Sequence, residues 1–259
     1  MSSLPAKVIG VVHLLPLPGS PLFGGSMDEI ISRAISDCHA YAAGGITSFI
    51  IENFGDVPFY PNEVKPVTVA AMTRAVIEVK KIFPDMSLGL NVLRNDAVAA
   101  MSIASVAGAD FIRVNVHVGA VVSDQGIING KAYATLRLRR ALGSNVKIYC
   151  DVDVKHSVQI GNYDLIAQVS DALERALADA IIITGSRTGE PVDVNKLQKI
   201  RSRFPYAKII VGSGANARNV ATLLKFADSV IVGTSVKVDG VTSNPVDARR
   251  LQAFMKSVR

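Results

Sequence analysis

Residues that can transfer protons recur at the ends of short β-branched runs in the sequence. His13 ends one such run, Glu52 ends the next, and Asp151 lies near the end of a later one. Carboxylates, lysines and imidazoles with shifted pKa values are the usual agents of proton transfer in enzymes. The pattern therefore predicts a catalytic cluster with these candidates: Asp151, Asp153, Lys155, His117, His13 and Glu52.

Neutral polar residues end the same kind of run and could orient a substrate. The candidates are Asn53, Asn91, Asn115 and Thr184. Glu52 or Asn53 would be the natural hydrogen-bond partner of His13, because both are predicted on the adjacent strand. We expect no cofactor requirement and no metal site. A divalent metal held by His13, Glu52 and Asp151 is the alternative, although the sequence has no HxH or HExxH motif.

Two glycine-containing turns give the most specific pattern in the chain. Each follows an apolar run, one ending at Val211 and the other at Val232. Glycine lets a backbone approach an anion closely. A helix is expected to start at 217–220, and the N–H groups at a helix start form the positive end of the helix dipole. The turns predict a phosphate site formed by Gly212, Ser213, Gly214, Asn216, Gly233, Thr234 and Ser235. The alternative is that these glycines only make tight turns.

The elements that position these residues alternate regularly. β-branched runs and amphipathic helical stretches follow one another eight times, as a parallel sheet with crossover helices requires. The predicted strands are 8–13, 47–52, 88–91, 111–116, 147–153, 180–184, 208–211 and 229–232. The favoured fold is a closed α/β (β/α)₈ TIM barrel forming a single domain over residues 1–259, with its active site at the C-terminal strand ends. A doubly wound open sheet is the alternative, but its GxGxxG fingerprint is missing after Val12.

Alternation within two strands predicts which side chains face the barrel axis. Every second residue of a strand points the same way, and polar residues occupy alternate positions around Arg113 and Asp151. Buried charge is costly unless paired, so we expect Arg113 and Lys147 to meet acidic partners such as Asp151. Lys147 lies roughly 20 Å along the strand from Asp153 and is expected to be structural. Residues 119–130 lack a helical period and are a candidate lid or ligand loop.

Composition narrows the class of protein. The 259 residues are 49% hydrophobic with a net charge of +6, and the basic residues are scattered without interleaved aromatics, so we expect no nucleic-acid partner. The N-terminal apolar stretch is too short for a transmembrane segment or signal peptide, which predicts a cytoplasmic protein. Cys38 and Cys150 lack metal-ligand spacing and are expected to be reduced packing residues. Peripheral membrane contact and homo-oligomerisation remain open.

Several segments of the chain resemble the BtpA family. They include GVVHLLPLPGSP around His13, ENFGDVPF after the second predicted strand, NVLRND, SDQG, DVKH, TGSRTG, VGSG, VGTSVKVDG and NPVD. The resemblance covers nearly the whole chain and implies a barrel of the ribulose-phosphate-binding type, without implying a reaction. Cyanobacterial members of the family are linked to the accumulation of photosystem I, whereas other members occur in organisms that have no photosynthesis.

Two classes of function fit these features. The first is an enzyme that binds a small phosphorylated ligand, such as a sugar phosphate, and abstracts a proton next to a carbonyl, as an isomerase, epimerase or lyase does. Asp151 or Asp153 would transfer the proton, and Lys155, His117 or His13 would stabilise the oxyanion. The alternative is a non-enzymatic assembly or stability factor of the photosystem I biogenesis type. That function predicts an exposed apolar patch or a basic amphipathic face for protein partners.

Overall fold

The computed structural model describes residues 6–154, 156–161, 163–185 and 191–258, and within these ranges eight parallel strands close into a barrel. In chain order the strands are β1 (Val8–His13), β2 (Ser48–Glu52), β3 (Ser87–Asn91), β4 (Phe111–Val114), β5 (Ala120–Ser123), β6 (Gly126–Asn129), β7 (Lys147–Val152), β8 (Ser157–Gln159), β9 (Ala180–Ile183), β10 (Ile209–Val211) and β11 (Ser229–Val232). The barrel order is β1-β2-β3-β4-β7-β9-β10-β11, and β11 pairs with β1. The predicted (β/α)₈ barrel is confirmed.

Helices connect the barrel strands. They are α1 (Met27–Ala43), α2 (Pro66–Ile82), α3 (Ala97–Ala107), α4 (Ala132–Ala141), α5 (Leu165–Ser170), α6 (Val194–Arg203), α7 (Val220–Leu223) and α8 (Ala248–Lys256). A π-helical turn, Asp171–Arg175, continues α5, and the 3₁₀ turns Thr234–Val236 and Val238–Gly240 follow β11. Asp193 caps α6, because its side chain accepts the Asn195 N–H at 2.9 Å.

Apolar side chains fill the barrel interior on the N-terminal side of the strand ends. Alternate residues of the strands form this cluster: Ile9, Val11, Ile50, Phe111, Tyr149, Ala180, Ile182, Ile210 and Ile231. The rings of Phe111 and Tyr149 stack with their centroids 4.7 Å apart. A Cβ on Gly89 would lie 2.1 Å from the Phe111 ring, so only glycine leaves room for this layer. The larger apolar cluster lies between the strands and the helices.

The predicted inward orientation of alternate polar residues is confirmed for Arg113 and Asp151. Their side chains are 4% and 0% exposed and meet inside the barrel. Lys147 lies at the other end of β7, where its Nζ is 3.7 Å from Oδ1 of Asp179. Both basic residues therefore have the acidic partner that their position requires, but the partner of Lys147 is Asp179 rather than Asp151.

Three barrel strands end one or two residues earlier than the sequence predicts: β4, β7 and β9, the last of which ends at Ile183. β4 ends at Val114, yet the Val116 N–H donates to Oδ1 of Asn95 at 2.8 Å and the Val116 carbonyl accepts from Nδ2 of Asn95 at 2.9 Å. An amide side chain thus takes the place of a neighbouring strand. β7 ends at Val152, and Asp153 follows with a φ of 55°, a left-handed conformation that non-glycine residues adopt infrequently.

A three-stranded antiparallel sheet lies beside the barrel mouth, in the order β6-β5-β8. β5 and β6 form a hairpin within residues 119–130, the predicted lid or ligand loop. Val121 and Ile128 of this hairpin are buried against Val116, which follows β4. The segment is therefore a hairpin with its own apolar contacts to the barrel, not an irregular loop.

Candidate functional site

A cavity with two chambers opens at the C-terminal ends of the barrel strands. The smaller chamber, of about 170 Å³, lies between the turns that follow β10 and β11. The larger chamber, of about 700 Å³, lies between the ends of β2, β3 and β4 and the turn of the β5–β6 hairpin. Glu52 and Arg113 line both chambers and so mark their junction. The cavity occupies the position at which barrel enzymes carry their active sites.

All the residues predicted to bind phosphate line the smaller chamber: Gly212, Ser213, Gly214, Asn216, Gly233, Thr234 and Ser235. A Cβ on Gly212 would lie 2.3 Å from Cγ2 of Ile182, and a Cβ on Gly233 would lie 2.9 Å from Cε1 of His13. Gly214 has a φ of 71°, which favours glycine. The glycines therefore serve the tight packing of the turns, and the same turns form the chamber wall.

Side chains tie the two turns to each other and to the end of β9. Ser235 Oγ donates to the Ala215 carbonyl at 2.7 Å, and Ser213 Oγ accepts from the Gly185 N–H at 3.0 Å. The side chain of Asn216 folds back on its own turn, where Oδ1 accepts a backbone N–H at 2.9 Å. These contacts hold the chamber wall in one conformation.

The helix start predicted at 217–220 is only partly present. α7 begins at Val220 and has four residues, and the turn after β11 leads into a 3₁₀ turn. A helix macrodipole arises from aligned peptide units, so elements this short contribute little positive field. A first helical turn is present, since the Val220 N–H donates to the Asn216 carbonyl at 3.0 Å, but its dipole is small. The backbone and hydroxyl groups of the turns are therefore the main groups that could meet an anion.

A buried ion pair lies at the junction of the two chambers. Arg113 donates from Nε and Nη2 to the two carboxylate oxygens of Asp151, both at 2.9 Å, and Nδ2 of Asn115 donates to Oδ2 at 3.1 Å. Burial lowers the pKa of Arg113, but the Asp151 carboxylate outweighs this effect and holds the pKa above its ordinary value. Donors occupy both oxygens of Asp151. This residue was predicted to transfer a proton, but in the structure it anchors Arg113.

Glu52 and His13 form a titratable pair beside this junction. Nε2 of His13 lies 3.4 Å from Oε1 of Glu52, and each side chain is 9% exposed. Asn91 donates to Oε2 of Glu52 at 3.0 Å, and the ring of Phe54 packs edgewise against His13. β1 and β2 pair in register at His13 and Glu52, which is why the two side chains meet. The predicted contact between His13 and Glu52 is therefore present.

Two of the other predicted catalytic residues line neither chamber. Asp153 pairs with Lys196 of α6, because β7 ends before it and its left-handed backbone breaks the alternation of side chains. His117 is buried, its Nε2 lies 3.0 Å from the Ala176 carbonyl, and burial lowers its pKa. Lys155 lies outside the described residues.

The predicted substrate-binding residues divide between the cavity and the framework around it. Asn91 and Asn115 line the larger chamber. Asn53 is 1% exposed and accepts the Leu93 N–H at 2.7 Å, so it holds the segment after β2 against the end of β3. Thr184 is buried and lines neither chamber. Asn53 and Thr184 were predicted to bind substrate, but the structure places both residues in the framework around the cavity.

The larger chamber contains residues that the sequence analysis missed. Arg94 is 6% exposed and lines the chamber, and burial lowers its pKa. Asp124 and Gln125, at the turn of the β5–β6 hairpin, line it from the other side and hydrogen-bond to each other. Phe54 and Phe59 belong to its apolar wall. Segment 119–130 was predicted as a lid or ligand loop, and its hairpin turn does line the chamber. Arg94 lies three residues beyond the end of β3, where strand alternation no longer applies.

No metal site can be identified in the described part of the chain. No group of three or more His, Cys, Asp and Glu side chains there could hold a metal ion. His13 and Glu52 do meet, but Asp151 is bound by Arg113, so the alternative metal triad does not form. Across the same residues, no helix has the length and apolar character needed to cross a membrane.

Fold and cavity together define a (β/α)₈ barrel with a bipartite site at its C-terminal strand ends. The model of the BtpA family matches residues 5–259, and the chain belongs to that family. It is 43% identical over 251 residues to the photosystem I biogenesis protein BtpA of Synechocystis sp., covering 97% of this chain and 87% of that protein. It is 45% identical over 252 residues to an uncharacterised protein of Pyrococcus abyssi, covering 97% and 95% of the two chains.

Solved structures show the same barrel at low sequence identity. A native KDPGal structure superposes with a TM-score of 0.61 at 13% identity, covering 99% of this chain and 95% of that one. Phosphoribosyl anthranilate isomerase from Thermus thermophilus superposes with a TM-score of 0.56 at 11% identity, covering 98% of each chain. Identities this low establish a shared fold and nothing more.

Proposed function

We propose that this protein binds a small phosphorylated metabolite and catalyses proton transfer on it, as an isomerase, epimerase or lyase does. The observation that carries the proposal is the position of Glu52 and His13. The pair lies beside the glycine turns of the smaller chamber, and Glu52 also faces the larger one. A ligand with its phosphate in the smaller chamber would place its adjoining carbon atoms against this pair. Such proximity is what proton transfer requires.

Each group in the site has contacts that suit a particular role. The backbone of the two turns and the hydroxyl group of Ser213, which accepts the Gly185 N–H and keeps its own proton to donate, would bind the phosphate. Glu52 would remove a proton next to the substrate carbonyl, with Asn91 orienting its carboxylate. His13 would donate a hydrogen bond to the oxyanion that develops on the carbonyl oxygen.

Substitution at Gly214 tests the phosphate chamber with a matched control. Its φ of 71° is a conformation that Asp and Asn tolerate better than other side chains do. Gly214→Asp adds a negative charge to the chamber wall, whereas Gly214→Asn adds a neutral side chain of the same size. We expect Gly214→Asp to bind ribose 5-phosphate at least about tenfold more weakly than Gly214→Asn, because two anions would share the chamber. Equal affinities by isothermal titration calorimetry would refute the phosphate chamber.

Hydrogen exchange tests the proton-transfer step before any product is known. An enzyme that removes a proton next to a carbonyl in D₂O replaces it with deuterium, which NMR detects on aldose and ketose phosphates. We expect exchange with the wild-type protein and a loss of about 10²- to 10⁴-fold in Glu52→Gln, which keeps an acceptor for Asn91. Unchanged phosphate binding in Glu52→Gln is the control for folding. Exchange at the wild-type rate in this variant would exclude Glu52 as the base.

A second function, binding of a protein partner, is favoured by an exposed apolar face of the small sheet. Val122, Ile127 and Val158 are 47%, 56% and 72% exposed. Val122 pairs directly with both other residues across the sheet, so all three side chains lie on one face. Exposed apolar patches mark interaction surfaces. Light scattering after size-exclusion chromatography tests this function. If a complex forms through this face, its mass should be lower for Ile127→Glu than for the wild-type protein. An unchanged mass would exclude this face.

A further inference from the structure

The larger chamber has more volume than the remainder of a simple sugar phosphate would fill. It measures about 700 Å³, compared with about 170 Å³ for the smaller chamber. Cavities of roughly 300–1,000 Å³ typically enclose a ligand of drug size. A pentose phosphate with its phosphate in the smaller chamber would extend past Glu52 and Arg113 and occupy only the near part of the larger one. The far part therefore has room for a further group of the ligand.

The larger chamber has an apolar wall that is partly open to solvent. Its members are Phe54, Val57, Phe59 and Leu93. Val57 is 42% exposed, and Phe54 and Phe59 are partly exposed, so water contacts apolar surface that a ligand could cover. Aromatic side chains stack on planar rings, and such stacking depends little on the identity of the ring. The wall thus suits a planar ring better than a second polyhydroxylated sugar.

The charged groups around the larger chamber disfavour a second anionic group on the ligand. Of the described residues that line it, Arg94, Arg113 and His156 are basic, and Glu52 and Asp124 are acidic. Arg113 is also bound to the carboxylate of Asp151 by two hydrogen bonds. With Asp151, three carboxylates match these three basic groups in number, so the described residues offer no surplus of positive charge to a second phosphate or carboxylate.

A buried acceptor in the same chamber suits a ring that carries N–H groups. Nδ2 of Asn115 donates to the Asp151 carboxylate, which fixes the orientation of the amide. Its Oδ1 is buried and has no hydrogen-bond donor among the described residues. Gln125, across the chamber, adds an amide that can donate as well as accept. Neutral heterocycles carry donors and acceptors of this kind along their edges.

We propose that the larger chamber binds the neutral heterocyclic ring of a phosphorylated N-glycoside, a class of ligand to which the nucleoside 5′-monophosphates belong. This inference rests on the proposed function, because it takes the smaller chamber as the phosphate site. The phosphate contacts the glycine turns, the pentose lies beside Glu52 and His13, and the ring stacks on the wall formed by Phe54 and Phe59.

Binding of three ligand classes tests this assignment by calorimetry. Ribose 5-phosphate supplies the phosphate and the pentose, nucleoside 5′-monophosphates add a neutral ring, and ribulose 1,5-bisphosphate adds a second anion. We expect at least one of the four common nucleoside monophosphates to bind at least about tenfold more tightly than ribose 5-phosphate, as stacking of a base on an aromatic side chain predicts. If none gains affinity, or if the bisphosphate binds more tightly than all of them, the ring site is overturned.

Two aromatic residues that are adjacent in the chain give a matched pair of variants. Phe59 lines the chamber, whereas Tyr60 is 44% exposed and does not. We expect Phe59→Ala to lower the affinity for the nucleotide about tenfold and to leave ribose 5-phosphate binding unchanged, while Tyr60→Ala changes neither. Unaltered nucleotide affinity in Phe59→Ala would overturn the proposed stacking.

The same measurements separate failure of the ring site from failure of the proposed function. If Gly214→Asp and Gly214→Asn bind ribose 5-phosphate equally, the phosphate chamber is wrong and the ring assignment is overturned with it. If these two variants differ as expected but no nucleotide gains affinity over ribose 5-phosphate, the phosphate chamber stands and only the ring assignment is overturned.

Discussion

Replacing Asp151 by asparagine would leave Arg113 as an unpaired charge inside the barrel. The two side chains are 0% and 4% exposed, and three hydrogen bonds of 2.9–3.1 Å reach the Asp151 carboxylate from Arg113 and Asn115. Asp151→Asn keeps the shape of the side chain but removes its charge. It also presents an amide NH₂ to a position now occupied by donors. The guanidinium group would then remain buried without a counter-charge.

The magnitude follows from this burial. Removing one partner of a buried ion pair costs about 3–5 kcal/mol. Because asparagine keeps one acceptor oxygen, we expect Asp151→Asn to lie at the lower end and to reduce the free energy of unfolding by about 3 kcal/mol. At roughly 2–4 °C per kcal/mol for a chain of this size, the Tm should fall by on the order of 10 °C.

Urea denaturation of a double-mutant cycle measures the coupling between the two residues. The cycle comprises Asp151→Asn, Arg113→Met and the double variant. The double variant removes both charges, so its loss of stability should be smaller than the sum of the two single losses by at least about 1.5 kcal/mol. Additive losses, within about 0.5 kcal/mol, would refute the ion-pair interpretation. Wild-type stability in Asp151→Asn would restore Asp151 as a candidate for proton transfer.

Three further predictions concern buried positions. Burial lowers the pKa of His117, so the stability that this residue contributes is complete above about pH 6.5 and is lost as the pH falls below that value. In His117→Gln, the unfolding free energy should therefore depend less on pH below about 6.5. A pH profile identical to that of the wild type would contradict this prediction. Burial raises the pKa of the Cys38 thiol to about 12 and also raises the pKa of the Cys150 thiol. Neither thiol should therefore react with DTNB before the protein unfolds. Labelling of either cysteine in the native protein would contradict this prediction. In urea denaturation, Gly212→Ala should lower the free energy of unfolding by about 1–3 kcal/mol, because its Cβ would lie 2.3 Å from a side chain. The control Gly24→Ala has open space around its Cβ and should leave the free energy of unfolding nearly unchanged. Similar losses in the two variants would refute the packing constraint at Gly212.

The barrel could be predicted because its strands depend on local patterns. The observed bounds of β1 and β11 coincide with the predicted runs 8–13 and 229–232, and the other barrel strands differ by one or two residues. Once the strand order was known, the contact of His13 with Glu52 followed, since neighbouring parallel strands bring their last residues together. The two glycine turns could be predicted for the same reason, as each directly follows a strand.

The remaining features of the site depend on contacts that no local pattern contains. Nothing in the sequence around Asp153 indicates its left-handed backbone, which turns this residue towards Lys196. The small sheet joins Val121 to Gln159, a pairing across a large sequence separation. Arg94 reaches the larger chamber from a segment that is neither strand nor helix. Such positions are set by tertiary packing, so they become visible only in the folded chain.

The partners of the acidic residues explain why Glu52 rather than Asp151 is suited to exchange a proton. The oxygens of Asp151 accept hydrogen bonds from both arms of a guanidinium group, and protonation would break that bidentate pair inside the barrel. The carboxylate of Asp153 is held by Lys196 outside the cavity. The partners of Glu52 include the neutral amide of Asn91 and the imidazole of His13, and its carboxylate lines both chambers, where a bound ligand would meet it. The buried pair thus keeps Arg113 at the junction, and the Glu52 carboxylate beside it faces both chambers.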